Sequence, residues 1–364
     1  MRALARAQPN IALVKYWGKR DLERNLPATG SLSVTLDSLW TETSVELGAG
    51  SSGGAGSYFR TCCARADHEP VPAHATSTKV RPGTTGRPGT RTPVRPLDSL
   101  RINGEERPDL LPRVSRCLDA VIGRDRPQAR VESRSNFPLA AGLASSASGF
   151  AALVVAADAA AGRSRDALAL ARLAGAASGS AARSLFEGIV ALDCGGDDID
   201  VQSIAAASDW PLAIVVAITG GAPKSLSSSE AMIRCAATSP FYACWVERQQ
   251  GDLQAARRAV AEHDFAALAA VAEHNCLKMH SVMWTARPAI VYWNHATVAC
   301  MEAVRELQRA GVPVFFTIDA GAQVKAVCLP GAADAVHDAL ENTPGVTRVM
   351  TSGLGAGARV VERA

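Results

Sequence analysis

The sequence predicts an α+β fold, and three observations indicate it. Apolar and polar residues alternate in two early segments, an alanine-rich apolar run lies near the middle, and the second half mixes helical and strand periods. The order lacks the regular strand–helix alternation of a doubly wound parallel sheet, and no repeat of fixed period is visible. At roughly 150 residues per domain, the 364 residues predict two lobes or one elaborate domain.

Composition and charge narrow the class of protein. Apolar residues make up 48% of the chain and charged residues 20%, which is typical of a folded protein rather than a disordered one. The net charge of +3 gives no signal for nucleic acid or an anionic membrane as partner. No apolar run approaches the ~20 residues of a membrane span, and no signal-peptide core precedes Lys15. The nine cysteines lack metal-binding spacing, which favours reduced thiols and a cytoplasmic location.

The first part of the chain is β-rich, with strands predicted at SLSVTLDSL and TETSVEL. Residues 48–96 are then rich in glycine, proline, threonine and arginine, and their apolar residues follow neither a helical nor a strand period. We predict a poorly ordered surface insertion there; a segment from an altered reading frame is the less usual explanation. Regular patterning resumes with a strand, an Asn-Gly turn and a helix in LDSLRINGEERPDLLPRVSRCLDAVIG, followed by a strand at QARVESRSNF.

The second half predicts helices and strands in irregular order. The predicted helices cover 165–177, 227–237, 251–275, 291–310 and 331–342. The predicted strands lie in SLFEGIVAL, PLAIVVAIT, VPVFFTID, QVKAVCLP and ARVVER.

The loop NFPLAAGLASSASGF, residues 136–150, has the composition of a phosphate-binding loop. It lies between a predicted strand and a predicted helix, where free backbone N–H groups and the helix dipole attract an anion. Its small residues let the backbone approach a ligand, and serine hydroxyls add donors; the residues concerned are Gly142, Ser145, Ser146, Ser148 and Gly149. It is not a Walker A loop. The alternative is a serine-capped, tightly packed alanine helix.

Two further segments place cationic donors near small residues. In NIALVKYWGK, the side chains of Lys15, Tyr16 and Lys19 are suited to a diphosphate or a carboxylate. In ASGSAARS, residues 177–184, Arg183 follows two serines, and its planar guanidinium suits a carboxylate. Taken alone, each segment could instead be a solvated surface turn.

Two later segments carry further candidate ligand-binding residues. GGAPKSLSSSEAM brings Lys224 and the serines at 227–229 to a predicted helix start, where an N-cap is the simpler explanation. FTIDAGAQ ends a predicted strand on Asp319, and Ala320 and Gly321 leave room for a ligand beside the carboxylate. A turn-forming aspartate is the alternative. Several such loops in one chain favour a polyanionic ligand.

Together these segments resemble the mevalonate diphosphate decarboxylases of the GHMP kinase superfamily. The resemblance rests on NIALVKYWGKRD, SLSVTL, NFPLAAGLASSASGFAAL, SGSAARSLFEG, SSSEAM and FTIDAG, and it covers about residues 6–47 and 98–360. The first motif separates this family from related kinases that share the small-residue loop. The resemblance implies a two-lobed α+β fold with a deep cleft, an ATP-binding lobe at 1–190, a lobe at 191–364 carrying the catalytic aspartate, and a homodimer.

The resemblance also implies a reaction: 5-diphosphomevalonate and ATP give isopentenyl diphosphate, ADP, phosphate and CO₂, with Mg²⁺ required. In this family-based assignment Asp319 orients the substrate's 3-hydroxyl, Lys15 lies beside it and Arg183 holds the substrate carboxylate. The remaining substrate-binding residues are Tyr16, Lys19, Ser178, Ser180 and Ser228. The ATP-binding residues are Gly142, Ser145, Ser146 and Ser148, and no metal ligand is predicted.

Two positions depart from the family pattern. Gly30 stands where the family often has asparagine, and Ala322 where it commonly has proline, which affects the nucleotide side and the stiffness of the Asp319 loop. Two alternatives remain open. The first is a 5-phosphomevalonate decarboxylase or a kinase of the mevalonate 3-hydroxyl, and the second is an impaired homologue that only binds nucleotide.

Overall fold

The computed structural model of the chain describes residues 1–48, 98–137, 145–220 and 226–364. The predicted insertion at 48–96 lies outside the described residues except for Gly48, and Gly142 and Lys224 also lie outside them.

The strands are β1 Arg2–Ala7, β2 Asn10–Val14, β3 Lys19–Asp21, β4 Leu26–Pro27, β5 Ser31–Thr35, β6 Thr41–Leu47, β7 Ser99–Ile102, β8 Glu105–Glu106, β9 Ala129–Ser135, β10 Ile189–Asp193, β11 Asp200–Ala205, β12 Ala213–Ile218, β13 Val314–Ile318, β14 Val324–Cys328, β15 Arg348–Ser352 and β16 Arg359–Arg363. The helices are α1 Leu111–Ile122, α2 Ser145–Ala160, α3 Ala167–Ala177, α4 Ser228–Thr238, α5 Tyr242–Ala261, α6 Phe265–Trp284, α7 His295–Arg309 and α8 Ala333–Glu341.

The strands form three main sheets and a small hairpin. One sheet has the order β16-β1-β6-β9-β7-β8, a second has β11-β10-β5-β2, and a third has β13-β14-β12-β15. Strands β3 and β4 pair with each other. The pairs are antiparallel except for β7 with β9, and helices pack beside the sheets, so the predicted α+β class is confirmed.

Helix α2 lies in the core of the first lobe, against β1 and β6. Its alanines and valines are buried on every side, which explains the continuous apolar pattern of the sequence. Asp158 is the one charged residue in the helix, and it forms an ion pair with Arg165 at 2.8 Å. None of the helices within the described ranges is long and apolar enough to cross a membrane.

The two lobes share a continuous hydrophobic cluster. It joins Leu32 and Val34 of β5 to Ile214 and Val216 of β12, and it also includes Leu253 of α5. Alternate residues of β12 instead face the core around α7 and α8, as the period-two pattern of a buried strand requires. The shared core fixes the second sheet against the third.

The strand order shows how the predicted lobe boundary relates to the sheets. The predicted division between residues 190 and 191 falls inside β10, and β11 extends the same sheet beyond it. Strand β16 also returns to the first lobe, where it pairs with β1. The first-lobe sheets therefore include β11 and β16, and the third sheet begins with β12.

Most predicted elements are confirmed, with one clear correction. The single helix predicted at 251–275 is wrong, because the structure has two helices, α5 and α6, with a break between them. His263 adopts a left-handed conformation at φ 52°, and the Asp264 carboxylate accepts a hydrogen bond from Ala267 N to begin α6. The apolar pattern continues through this break, which hid it. Strands β11 and β15 were not predicted.

The Asp98 carboxylate anchors the chain where α1, β7 and β9 meet. It accepts hydrogen bonds from Ser115 Oγ at 2.6 Å, from Arg126 Nη2 at 2.6 Å and from Ala129 N at 2.9 Å. Both side chains of the ion pair are buried, with exposed fractions of 7% for Asp98 and 4% for Arg126. Burial alone would raise the pKa of Asp98, but the Arg126, Ser115 and Ala129 donors outweigh it and hold the pKa below its ordinary value.

Replacement of Asp98 by alanine is expected to lower the free energy of unfolding by about 3 kcal/mol, because it leaves Arg126 buried with one ion-pair partner fewer. Since the folded-state pKa is lowered, the contribution of Asp98 is present above roughly pH 4 and decreases as pH falls below that value. Urea unfolding at pH 7 and at lower pH measures both effects.

Asp109→Ala is the matched control, because Asp109 pairs with Arg107 on the surface. Its loss is expected to change the free energy of unfolding much less than the loss of Asp98, because solvent screens this exposed pair. Equal effects of the two substitutions would contradict the anchoring role of Asp98.

Candidate active site

A cleft of about 850 Å³ opens between the lobes. Its walls come from the segment after β2, from α1, from the residues after α3, from the start of α4 and from the end of β13. Of the predicted site residues, the cleft is lined by Tyr16, Lys19, Ser146, Ser178, Ser180, Arg183, Ser228 and Asp319. The structure thus brings together side chains that lie far apart in the sequence.

A carboxylate between two ammonium groups lies at one end of the cleft. Lys15 Nζ is 2.7 Å from Asp319 Oδ1, and Lys325 Nζ is 3.2 Å from Asp319 Oδ2. The lysine side chains are 1% and 0% exposed, whereas 24% of the Asp319 side chain is exposed. Lys15 follows β2 in the first lobe, while Asp319 directly follows β13 and Lys325 lies in β14 of the second, so the ion pair spans the lobes.

Helices α5 and α6 hold the backbone of Lys15. Asn275 Oδ1 accepts a hydrogen bond from Lys15 N at 2.8 Å, and Gln249 Nε2 donates to Lys15 O at 2.7 Å. Asn275 Nδ2 in turn donates to Gln249 Oε1 at 2.8 Å. Both amide side chains are buried, so this network fixes the direction in which Lys15 enters the cleft.

The charge of Asp319 is set by its neighbours. Burial alone would raise the pKa of its carboxyl group, but the charges and hydrogen bonds of Lys15 and Lys325 outweigh burial and hold the pKa well below the ordinary range. His280 lies behind the strand end, with Nε2 at 3.2 Å from Ile318 O. Burial lowers the pKa of His280 to about 3, so the ring is neutral at pH 7. Asp319 is therefore an ionised hydrogen-bond acceptor.

Arg183 lies beneath the cleft floor with its guanidinium fixed by neutral acceptors. Nη1 donates to Ser31 Oγ at 2.5 Å, and Nε lies 3.1 Å from Ser33 Oγ and 3.4 Å from Asn10 Oδ1. Burial lowers the pKa of Arg183 to about 10, so the group remains cationic at pH 7. No residue of the described ranges accepts a hydrogen bond from Nη2, which leaves that edge for an anionic ligand.

The hydroxyl of Tyr16 is buried and has no hydrogen-bond partner among the described residues. Burial raises the pKa of Tyr16 to about 12, so the phenol is protonated and can donate. Gly179 makes this position possible, because a Cβ atom there would lie 2.4 Å from the Tyr16 oxygen. A buried, unpaired donor that lines a cleft is suited to a ligand oxygen.

Lys19 faces the start of α4 across the cleft. Its Nζ donates to Ser229 Oγ at 2.9 Å, and burial together with the charge of Arg113 lowers the pKa of Lys19. Ser227 caps α4 in a capping box with Glu230, so the N-cap interpretation is correct for that serine. Ser228 is the first helical residue and also lines the cleft. The N-terminus of α4 is therefore both a capped helix start and a part of the cleft wall.

The serines that begin α2 divide between two environments. Ser146 lies in the cleft wall, where its Oγ is 3.4 Å from Ser178 Oγ. Ser145 is half-buried and does not line the cleft. Ser148 is fully buried, and its hydroxyl pairs with Thr41 Oγ1 at 2.8 Å. Its hydroxyl joins α2 to β6 inside the lobe, and Ser148 is not among the residues that line the cleft.

Sequence reasoning missed three cations at the site. Lys325 carried a usable signal, since it is a single charge within the apolar strand VKAVC. Arg113 and Arg116 line the cleft from α1, where their spacing looked like an ordinary exposed helix face. Arg113 donates to Ala177 O at 2.7 Å and lies 4.5 Å above the ring of Phe150, so it is held in place.

The structure accounts for both departures from the family pattern. A Cβ at Gly30 would lie 2.9 Å from Leu192 O and 2.6 Å from Leu253 Cδ2, so no larger residue fits here without movement. Ala322 O accepts hydrogen bonds from Thr219 Oγ1 at 2.8 Å and from Thr297 Oγ1 at 2.7 Å. These bonds fix the loop after Asp319 without a proline.

Two family models match the chain. One is described as the diphosphomevalonate decarboxylase-like N-terminal domain and matches residues 7–54 and 76–205. The other is the mevalonate 5-diphosphate decarboxylase C-terminal domain, which matches residues 214–352. The match therefore reaches into the predicted insertion, so residues 76–96 belong to the family pattern and only 55–75 fall between the matched segments.

Curated relatives and solved structures agree with the family models. The chain is 32% identical over 336 residues to a diphosphomevalonate decarboxylase of Ganoderma lucidum, covering 88% of this chain and 76% of the relative. It is 33% identical over 328 residues to mvd1 of Aspergillus fumigatus, covering 88% and 75%.

Among solved structures, the mevalonate diphosphate decarboxylase of Staphylococcus aureus has a TM-score of 0.82 at 29% identity, covering 99% of this chain and 98% of that one. A structure described as a complex with MVAPP, AMPPCP and magnesium has a TM-score of 0.81 at 31% identity, covering 100% and 99%. The chain belongs to the diphosphomevalonate decarboxylase family.

Proposed function

We propose that the chain catalyses the ATP-dependent decarboxylation of (R)-5-diphosphomevalonate to isopentenyl diphosphate, with release of ADP, phosphate and CO₂. The observation that carries the proposal is the Asp319 carboxylate, which is paired with Lys15 at 2.7 Å and faces a cleft that also presents cationic and neutral hydrogen-bond donors. The names of the relatives and the ligands of a related solved complex support the same reaction.

Asp319 acts on the 3-hydroxyl of the substrate. The ionised carboxylate accepts a hydrogen bond from the hydroxyl and directs the oxygen lone pair toward the terminal phosphate of ATP. As the new O–P bond forms and the bond to ADP breaks, the hydroxyl proton passes to Asp319. Because its pKa is lowered, Asp319 is a weak base and contributes mainly by orientation. Phosphoryl transfer through a loose transition state depends chiefly on position and charge, so strong proton abstraction is not needed.

Arg183 acts on the substrate carboxylate. Its free guanidinium edge can hold that group while the phosphorylated C3 oxygen departs with its bonding electrons. The developing positive charge at C3 is then neutralised by the electrons of the breaking C–C bond, and CO₂ leaves. Ser178 and Ser180 lie on the same wall of the cleft. We assign them to the carboxylate end of the substrate.

The diphosphate is assigned to the donors around Tyr16. The unpaired Tyr16 hydroxyl, the Lys19 ammonium and the start of α4 at Ser228 face the same part of the cleft. A helix N-terminus attracts phosphate oxygens through its free N–H groups. The arginines of α1 add positive charge at this end.

ATP is assigned to the loop that leads into α2. Ser146 is the described serine of this loop that reaches the cleft, and Gly142 and Ser145 remain proposed partners of the phosphates. The described ranges hold no group of three His, Cys, Asp or Glu residues suited to a metal ion. Phosphate oxygens and serine hydroxyls would supply ligands for Mg²⁺, which would offset the negative charge of the transferred phosphoryl group.

Three further assignments belong to the proposal. We divide the chain into a nucleotide-binding lobe up to β11, completed by β16, and a second lobe from β12 to β15 that carries Asp319. The family resemblance supports a homodimer. The seven cysteines of the described ranges form no disulfide, which supports the cytoplasmic location.

The substrate is tested by supplying 5-diphosphomevalonate, 5-phosphomevalonate or mevalonate with ATP and Mg²⁺. We expect stoichiometric ADP and CO₂ from the diphosphate, because Tyr16, Lys19 and the start of α4 together supply cationic and neutral donors suited to a diphosphate. Coupled ADP detection and trapping of labelled CO₂ measure both products. ADP without CO₂ would indicate a 3-hydroxyl kinase, CO₂ from the monophosphate alone would indicate the monophosphate enzyme, and neither product would indicate an impaired homologue.

Asp319→Asn is expected to lower kcat by a factor of about 10³ or more, because the amide cannot orient the hydroxyl as an anionic acceptor. Nucleotide binding should remain, since the ATP loop lies at α2. Steady-state CO₂ release and binding of a fluorescent ATP analogue measure the two properties. Retention of the parent turnover would remove Asp319 from the mechanism.

Tyr16→Phe is expected to raise the KM for diphosphomevalonate roughly tenfold with a smaller change in kcat, because one donor to the diphosphate is lost. The unfolding temperature should not fall, since the deleted hydroxyl has no hydrogen-bond partner among the described residues. Tyr242→Phe is the control, because Tyr242 lies beside Gly18 and outside the cleft lining. Equal KM values for the two variants would contradict the assignment.

A further inference from the structure

Lys325 is a buried charge in the middle of a sheet. It occupies the centre of β14, whose five residues are all buried, and pairs in register with Val216 of β12 and Thr317 of β13. Its side chain is 0% exposed. Removing an ammonium group from water is costly unless a partner compensates, and an aliphatic residue would fill such a position at no comparable cost. The charge therefore needs an explanation beyond folding.

The geometry assigns each oxygen of Asp319 its own ammonium group. Lys15 reaches Oδ1 from the first lobe, and Lys325 reaches Oδ2 from the neighbouring strand of the second lobe. One lysine would be enough to neutralise the carboxylate. The second fixes rotation of the carboxylate about its Cβ–Cγ bond, because both oxygens are held at once.

Asp319, Lys15 and Lys325 together carry a net positive charge, and the other titratable groups around them do not offset it. Arg183 adds a cation whose charge acts on Asp319, and burial lowers the pKa of Lys325 without removing its ion pair. The neighbouring titratable groups are neutral at pH 7: His280 has a lowered pKa, and burial raises the pKa of Cys276 and of Tyr16. A proton on Asp319 would remove the negative charge that lies between the two ammonium groups.

We propose that Lys325 is a positioning residue for the reaction, whose ammonium holds Asp319 ionised and turned toward the cleft at a cost to the stability of the fold. The proposal rests on the function assigned to Asp319 above. Lys325 acts through Asp319 and does not line the cleft itself. Its effect is on kcat, because it keeps the carboxylate in the state that orients the substrate hydroxyl.

The experiment compares full-length parent protein with Lys325→Met, which keeps the side-chain length and removes the charge. We expect kcat for CO₂ release to fall roughly tenfold or more while the KM for diphosphomevalonate changes by less than about threefold. The acid limb of the kcat profile should move to higher pH, because the pKa of Asp319 rises when one of its two cations is lost. Protonation of the substrate or the nucleotide would affect both proteins equally. A difference between their acid limbs therefore reports a group of the enzyme.

Thermal unfolding without any substrate is measured in parallel. The unfolding temperature of Lys325→Met should equal or exceed that of the parent, because a buried ammonium is replaced by an apolar group. Lys325→Arg keeps the charge, and its acid limb should return toward the parent position. Arg305→Met is the control, since it removes a cation paired with Glu273 beside β13 and is expected to leave the pH profile unchanged.

Three outcomes would overturn the proposal. The first is a Lys325→Met enzyme with parent kcat and parent pH profile. The second is Lys325→Arg behaving like Lys325→Met. The third is a Lys325→Met protein that unfolds at a lower temperature than the parent, which would make the ammonium a requirement of folding. Absence of CO₂ from the parent itself would instead contradict the proposed function, so the two failures are distinct.

Discussion

The ion pair that joins the lobes at Asp319 is the constraint on which the site depends. Lys15 comes from the first lobe and Asp319 from the second, so their contact requires that the second and third sheets share one core. Gln249 and Asn275 form hydrogen bonds with the backbone of Lys15 and so fix its position relative to the second lobe. The carboxylate is therefore placed by the packing of both lobes rather than by a local loop, and the cleft forms where the shared core ends.

Absence of side-chain bulk is the second requirement of the site. Alanines in α2 let β1 and β6 approach the helix, and Gly179 lets the phenol of Tyr16 lie against the backbone of the opposite wall. Gly30 plays the same part against Leu192 and Leu253. The small residues that looked like a single phosphate loop in the sequence thus serve several close contacts, of which the loop is one.

The parts of the fold that follow from local pattern were predictable. Strong periodicity gave the helices α3, α4, α7 and α8 and the strands β5, β6, β9, β13 and β14, and the grouped hydroxyls and cations gave most of the cleft. The features that the sequence did not predict depend on contacts between residues that are distant in the sequence or on how an element is buried. The break at His263 interrupts no apolar pattern, Ser148 turns inward because α2 is buried on all sides, and Lys325 meets Asp319 only through antiparallel pairing. These are properties of register and packing that a single sequence does not display.

The return of β16 to β1 also has a consequence for how the protein is made. Ala3 pairs with Arg363, so an edge of the first sheet stays open until a strand much later in the sequence has been made. Until β16 arrives, the unpaired N–H and C=O groups of β1 are available to other strands. Such late closure favours slow final folding and exposure to aggregation on the ribosome. Binding by a chaperone that shields β-edges would be most useful to this chain during that interval.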